Sequence, residues 1–84
     1  MAYVSDIKKE IENCATLLKA RGYSDLVRGL VQSTATKIGN VPNFDSSAAV
    51  LLDTVITEAK LGEELTNDLR KAIDRRVQSS CASI

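Results

Sequence analysis

Apolar residues recur at helical spacing in four separate segments of this chain. In the first segment they follow one another by three and four residues, which places them on one side of a helix. The stripes are Val4, Ile7, Ile11, Cys14 and Leu18 in the first segment; Leu26, Val27, Leu30, Val31, Thr34, Ala35 and Ile38 in the second; Ala48, Leu52, Val55, Ile56 and Ala59 in the third; Leu65, Leu69, Ala72, Ile73 and Val77 in the fourth. No strand pattern competes with them, so the sequence predicts an all-α fold.

Residues that start and stop helices divide the four segments. Ser5, Ser24 and either Asp45 or Ser46 can act as N-caps. Glycines at 22, 39 and 62 follow the first three stripes, and the fourth stripe is rotated by about a quarter turn from the third. We therefore expect a compact single-domain bundle of about four short helices: about 5–21, 24–38, 46–61 and 63–78, with residues 79–84 as a frayed C-terminal tail. The first two helices should form a tight hairpin.

A chain of 84 residues can bury a thin core, and its composition is that of an ordinary globular protein. The third helix should contribute residues to that core. We expect its Leu52, Val55 and Ile56 to pack against residues of the other three helices, namely Ile7, Ile11, Leu30 and Leu69.

Composition excludes most chemistry. The chain has no histidine, which rules out the usual nucleophile triads and the commonest metal ligand. Cys14 lies in a core stripe, whereas Cys81 lies in a polar tail, and a bridge between them is left open. The sequence predicts no enzyme activity, no cofactor and no bound metal.

Charge and hydropathy bear on the partners and on location. The net charge is zero, with 11 basic and 11 acidic residues, which argues against a nucleic-acid partner. No segment approaches the roughly 20 apolar residues of a membrane span, and no signal-peptide pattern is visible at the start. A cytoplasmic location is therefore expected, with no membrane partner.

The third helix also carries a second stripe on the side opposite its core residues, made of Val50, Thr54, Thr57 and Leu61. A surface helix needs an apolar stripe on one side only. Either the helix is central and packed on both sides, or its outer face binds a partner. A secondary candidate surface is basic, Arg70, Lys71 and Arg75, although Glu64 and Asp68 on the same helix favour a solvated face with internal ion pairs.

Three families offer partial resemblances. A helical hairpin followed by Val41-Pro42 and a second hairpin is similar in architecture to the small immunity proteins that protect bacteria from pediocin-like bacteriocins, without a shared motif. Asp45-Ser46-Ser47 resembles the Asp-Ser-Leu of acyl carrier proteins, with serine in place of the leucine. The spacing of Cys14 and Cys81 resembles that of secretoglobins, whose cysteines bridge a dimer around an apolar ligand.

The missing chemistry and the second stripe together favour a non-catalytic protein-binding module. We expect an inhibitor, immunity or adaptor type of protein, whose partner is another protein or a second copy of the chain. The alternative is a carrier or a small apolar-ligand-binding protein, with the ligand held among the helices.

Overall fold

The computed structural model describes residues 3–42 and 44–82, with side-chain environments as far as Gln78. It confirms the all-α fold class: its helices are α1 (Val4–Arg21), α2 (Asp25–Gly39), α3 (Ser46–Ala59) and α4 (Glu63–Ala82). No strand is present in the described part of the chain.

Local hydrogen bonds explain where the helices begin. Ser24 and Asp45 accept bonds from the backbone N–H groups three residues on, over 3.5 and 2.9 Å. The first helix differs from the prediction, because it begins at Val4 with Tyr3 as its N-cap residue rather than Ser5. Asp6 holds this start, since its carboxylate accepts a bond of 3.4 Å from the Tyr3 N–H.

The helix ends differ from the prediction at α3 and α4. The third helix ends at Ala59, two residues early, because Lys60 adopts a left-handed conformation and Gly62 has a φ of 91°. The fourth helix continues to Ala82, through most of the segment predicted as a frayed tail. This continuation is explained by the absence of glycine and proline from residues 79–82. Residues 83 and 84 lie outside the described residues.

The four helices form a ring in which α1 packs against α2 and α3, and α4 packs against α2 and α3. Arg28 and Glu64, near the starts of α2 and α4, approach within 3.8 Å, so these two helices run parallel. The third helix likewise runs parallel to α1, since Ala59 near its end lies beside Ala15 and Lys19. The molecule is therefore two helical hairpins, α1–α2 and α3–α4, stacked side by side.

The core lies where the two hairpins meet. The predicted residues Ile7, Ile11, Leu52, Ile56 and Leu69 are all fully buried. Val55 is also buried, whereas Leu30 is partly buried at the edge of the cluster. The prediction that Leu26 belongs to the buried stripe of α2 was wrong, because its side chain is 55% exposed. It lies one residue before the buried Val27, at the edge of the α2 stripe and in its first turn.

The link between the hairpins crosses the bundle diagonally, from the end of α2 to the start of α3. Val41 and Phe44 are buried within it. The Arg76 guanidinium of α4 donates a hydrogen bond to the Val41 carbonyl and lies 5.7 Å from the centre of the Phe44 ring. These contacts fix the link against α4.

Candidate functional site

The outer stripe predicted on α3 divides in the structure. Val50 is 66% exposed, and Thr54 is exposed beside it. Thr57 is also exposed, but its hydroxyl accepts a hydrogen bond of 2.8 Å from the Arg70 guanidinium of α4. Leu61 is only 2% exposed and belongs to the core, so its assignment to the outer face was wrong.

The burial of Leu61 follows from the end of α3. Wheel positions apply only while the helix continues, and the left-handed Lys60 turns the chain after Ala59. Leu61 is thereby directed back into the bundle between α3 and α4. The stripe that remains on the outer face is Val50, Thr54 and Thr57.

Leu51 adds a residue to this face that the sequence prediction missed. It is 46% exposed, and its wheel position lies on the line of Val55 and Glu58, which border the seam with α1. Both stripes assigned to α3 exclude Leu51, because its wheel position falls between them. The sequence feature that could have identified Leu51 is the run Val50-Leu51-Leu52. Three consecutive large apolar residues span about 200° of a helix, which is more than one core stripe needs.

The basic surface predicted on α4 also divides. Arg70 faces α3, where its Nε donates a hydrogen bond of 3.0 Å to the Asp53 carboxylate. Lys71 and Arg75 face α2 instead, together with Arg76. A rotation of about 100° per residue separates Arg70 from Lys71, so adjacent residues reach different neighbours. The three predicted residues therefore do not form one site.

The groove between α2 and α4 has a volume of about 580 Å³ and is open to solvent. Its floor consists of small residues, Ala35, Thr36 and Gly39 from α2 and Ala72 from α4. Its basic side consists of Lys71, Arg75 and Arg76, and Asp68 is the acidic residue that lines it. Lys71 and Arg75 make no ion pair among the described residues, within 4.0 Å.

Two adjoining grooves of about 350 and 480 Å³ follow the seam between α1 and α3. They share a floor of small side chains, Ala15 and Ala59. Their edges carry charges of both signs, from Lys8, Glu12, Lys19, Glu58 and Lys60. Mixed charges of this kind select no particular ligand.

A polar cluster lies between α1 and α2, made of the buried Thr34 and the partly exposed Glu10 and Lys37. The Thr34 hydroxyl lies 2.8 Å from the Leu30 carbonyl and 3.2 Å from the Glu10 carboxylate, which also pairs with Lys37. Cys14 lies beside it as a free, buried thiol. Burial raises the pKa of the Cys14 thiol, the Glu10 charge raises it further, and the hydrogen bond with Thr34 opposes both. A thiol held protonated in this way is a poor nucleophile.

Two properties of the described residues bear on other classes of function. No group of three or more His, Cys, Asp or Glu side chains in residues 3–42 and 44–82 is placed to hold a metal ion. Within the same ranges, no helix has both the length and the hydropathy needed to cross a membrane. Cys14 is a free thiol in the structure, and the Cys81 side chain lies outside the described residues.

Comparisons of this chain with protein families, with curated proteins and with solved structures find no match. The class established is an all-α bundle of two stacked hairpins. Its function has to be inferred from the side chains on its surface.

Proposed function

We propose that this chain is a non-catalytic helical module that binds another protein through the outer face of α3, as a small inhibitor, immunity or adaptor protein does. The observation that supports it is the exposure of two consecutive large apolar side chains, Val50 and Leu51. Contiguous exposed apolar surface is characteristic of interaction sites.

The composition of α3 supports the same proposal. Among its 14 residues only Asp53 and Glu58 are charged, and neither lies on the line from Val50 to Thr54. The Asp53–Arg70 ion pair borders the apolar residues on the side of α4. An apolar centre with a charged border is the usual composition of a protein–protein interface.

The alternative expected from the sequence, a carrier of an apolar ligand, has less support. The centre of the bundle is filled by fully buried side chains such as Ile11, Leu52 and Leu69. The grooves along α1–α3 and α2–α4 are open and bordered by charged residues. Mass spectrometry of the native protein without denaturant would contradict our proposal if it detected a retained lipid or a covalent arm.

The direct test places a charge at the centre of the proposed contact. We expect Val50→Arg and Thr54→Arg to abolish association with a second copy or with a partner recovered from the native host, because burying an unpaired charge is costly. Both positions are exposed, so circular dichroism should show an unchanged fold. The readouts are sedimentation velocity over a range of concentrations and quantitative co-purification.

Leu26→Arg is the matched control. Leu26 is a similarly exposed apolar residue on α2, outside the proposed contact. We expect this variant to keep every association of the wild-type chain. If both α3 variants also keep them, or if the wild-type chain associates with nothing, the proposal is wrong.

A further inference from the structure

We propose that the groove between α2 and α4 binds an acidic helix of a protein partner. This site is separate from the outer face of α3, and the proposal does not depend on that contact. It rests on the charge, the spacing and the floor of the groove.

Charge identifies the chemistry of the occupant. Lys71 and Arg75 are exposed side chains four residues apart on α4, and no carboxylate among the described residues pairs with either. Like charges at this spacing repel each other on a helix. An occupant with negative charge would relieve that repulsion and gain two ion pairs.

The dipole of α4 does not account for these cations, and the dipole of α2 reaches the groove only at its last turn, at Thr36 and Gly39. Favourable interactions with a dipole are confined to the last turn of a helix. The fourth helix continues to Ala82, so Lys71 and Arg75 both lie before its last turn. Arg76 already has a structural role, because it holds the link at Val41 and Phe44. Lys71 and Arg75 have no such role.

The floor of the groove admits a helix. Ala35, Gly39 and Ala72 bring no bulky side chain, and a Cβ added at Gly39 would meet no atom within 4 Å. The basic side chains, from Lys71 to Arg76, cover about one and a half turns of α4. A partner helix with glutamates four residues apart would match the spacing of Lys71 and Arg75.

Acidic residues near the groove favour a short acidic helix over a nucleic acid. Asp68 lines one end of the groove, and Glu64 and Asp74 lie on the same helix. A continuous phosphate backbone would place charge against these carboxylates, whereas a helix can present one pair of glutamates to Lys71 and Arg75 and neutral residues to Asp68. The zero net charge of the chain supports the same choice.

The test uses a synthetic probe and the full chain. The probe is an alanine-rich helical peptide of about 16 residues with two glutamates four residues apart, and its control has glutamines instead. Titrations are followed by the NMR resonances of the Gly39 and Ala72 amides. We expect saturable shifts with the glutamate peptide, weakened by added salt, and about tenfold weaker binding with the glutamine peptide.

Variants then locate the site. Replacing both Lys71 and Arg75 with glutamine should weaken binding about tenfold, since two exposed ion pairs are lost. The same change at Lys8 and Lys19, which alters the net charge equally on α1, should leave binding unchanged. Asp68→Asn should strengthen binding, because it removes a carboxylate that lines the groove. Thr54→Arg should have no effect, which separates this site from the α3 contact.

Three results would overturn the proposal. The first is equal binding of the glutamate and glutamine peptides. The second is unchanged binding by the Lys71 and Arg75 double variant, with circular dichroism verifying its fold. The third is tighter binding of a single-stranded oligonucleotide at the same resonances, which would assign the groove to a nucleic acid.

Discussion

Cys14 is the residue whose surroundings make the clearest prediction about pH. Its thiol is buried beside Thr34 and near the Glu10–Lys37 pair. Burial raises its pKa above the ordinary value of 9.0. The protonated thiol is therefore favoured in the folded chain more than in the unfolded chain.

The sign of the effect follows from this direction. Well below pH 9 the thiol is protonated in both states, so its contribution to stability is fully present. As the pH rises further, the unfolded chain ionises first, and the free energy of unfolding falls until the pH has passed the folded pKa. We expect urea denaturation between pH 8 and pH 10.5 to show that the free energy of unfolding falls more steeply with pH when Cys14 is present than in Cys14→Ala. Both proteins carry Cys81→Ser. Equal slopes would show that Cys14 titrates normally.

At the scale of the helices, most of the fold could be predicted from the sequence. Spacing identified the four stripes, and Ser24, Asp45 and Gly62 marked boundaries close to those observed. The errors fell where a local pattern was extended past its limit. Leu61 was given a wheel position beyond the end of α3, and Leu26 was assigned to a core that its turn does not reach.

The boundary between α3 and α4 can be tested by comparing two glycines. Gly62 has a φ of 91°, whereas Gly29 lies within α2, and an added Cβ would meet nothing within 4 Å at either position. We expect Gly62→Ala to destabilise the protein by about 1 kcal/mol, because a side chain is strained at this φ. Gly29→Ala should stabilise it by about 0.5–1 kcal/mol through helix propensity. Thermal unfolding of both variants measures the difference; a gain at Gly62 would mean that α3 and α4 form one continuous helix.

At the scale of the whole molecule, the sequence left the arrangement of the helices open. The short turn at Gly22-Tyr23 predicted one hairpin, but no local pattern determines which helices become neighbours across the bundle. That depends on long-range packing, including the contact of Arg76 with the link at Val41 and Phe44. The predictions of candidate surfaces suffered most from this, because adjacent residues such as Arg70 and Lys71 face different helices.

The stacked arrangement predicts that neither hairpin folds alone. Ile7 and Ile11 on α1, like Leu52 and Ile56 on α3, are fully buried in the core that the two hairpins share. A separate hairpin would expose that face, and helices of 14 to 20 residues are marginal in water without it.

We therefore expect peptides of residues 1–41 and 42–84 to show little helical circular dichroism separately and to gain it when mixed. A Leu52→Ala change in the second peptide should prevent the gain, because truncating a buried leucine costs about 2–5 kcal/mol. Leu51→Ala is the matched control, since Leu51 is 46% exposed, and it should leave the gain largely intact. Cooperative unfolding of either peptide alone would show that its hairpin is an independent unit and that the core is not shared.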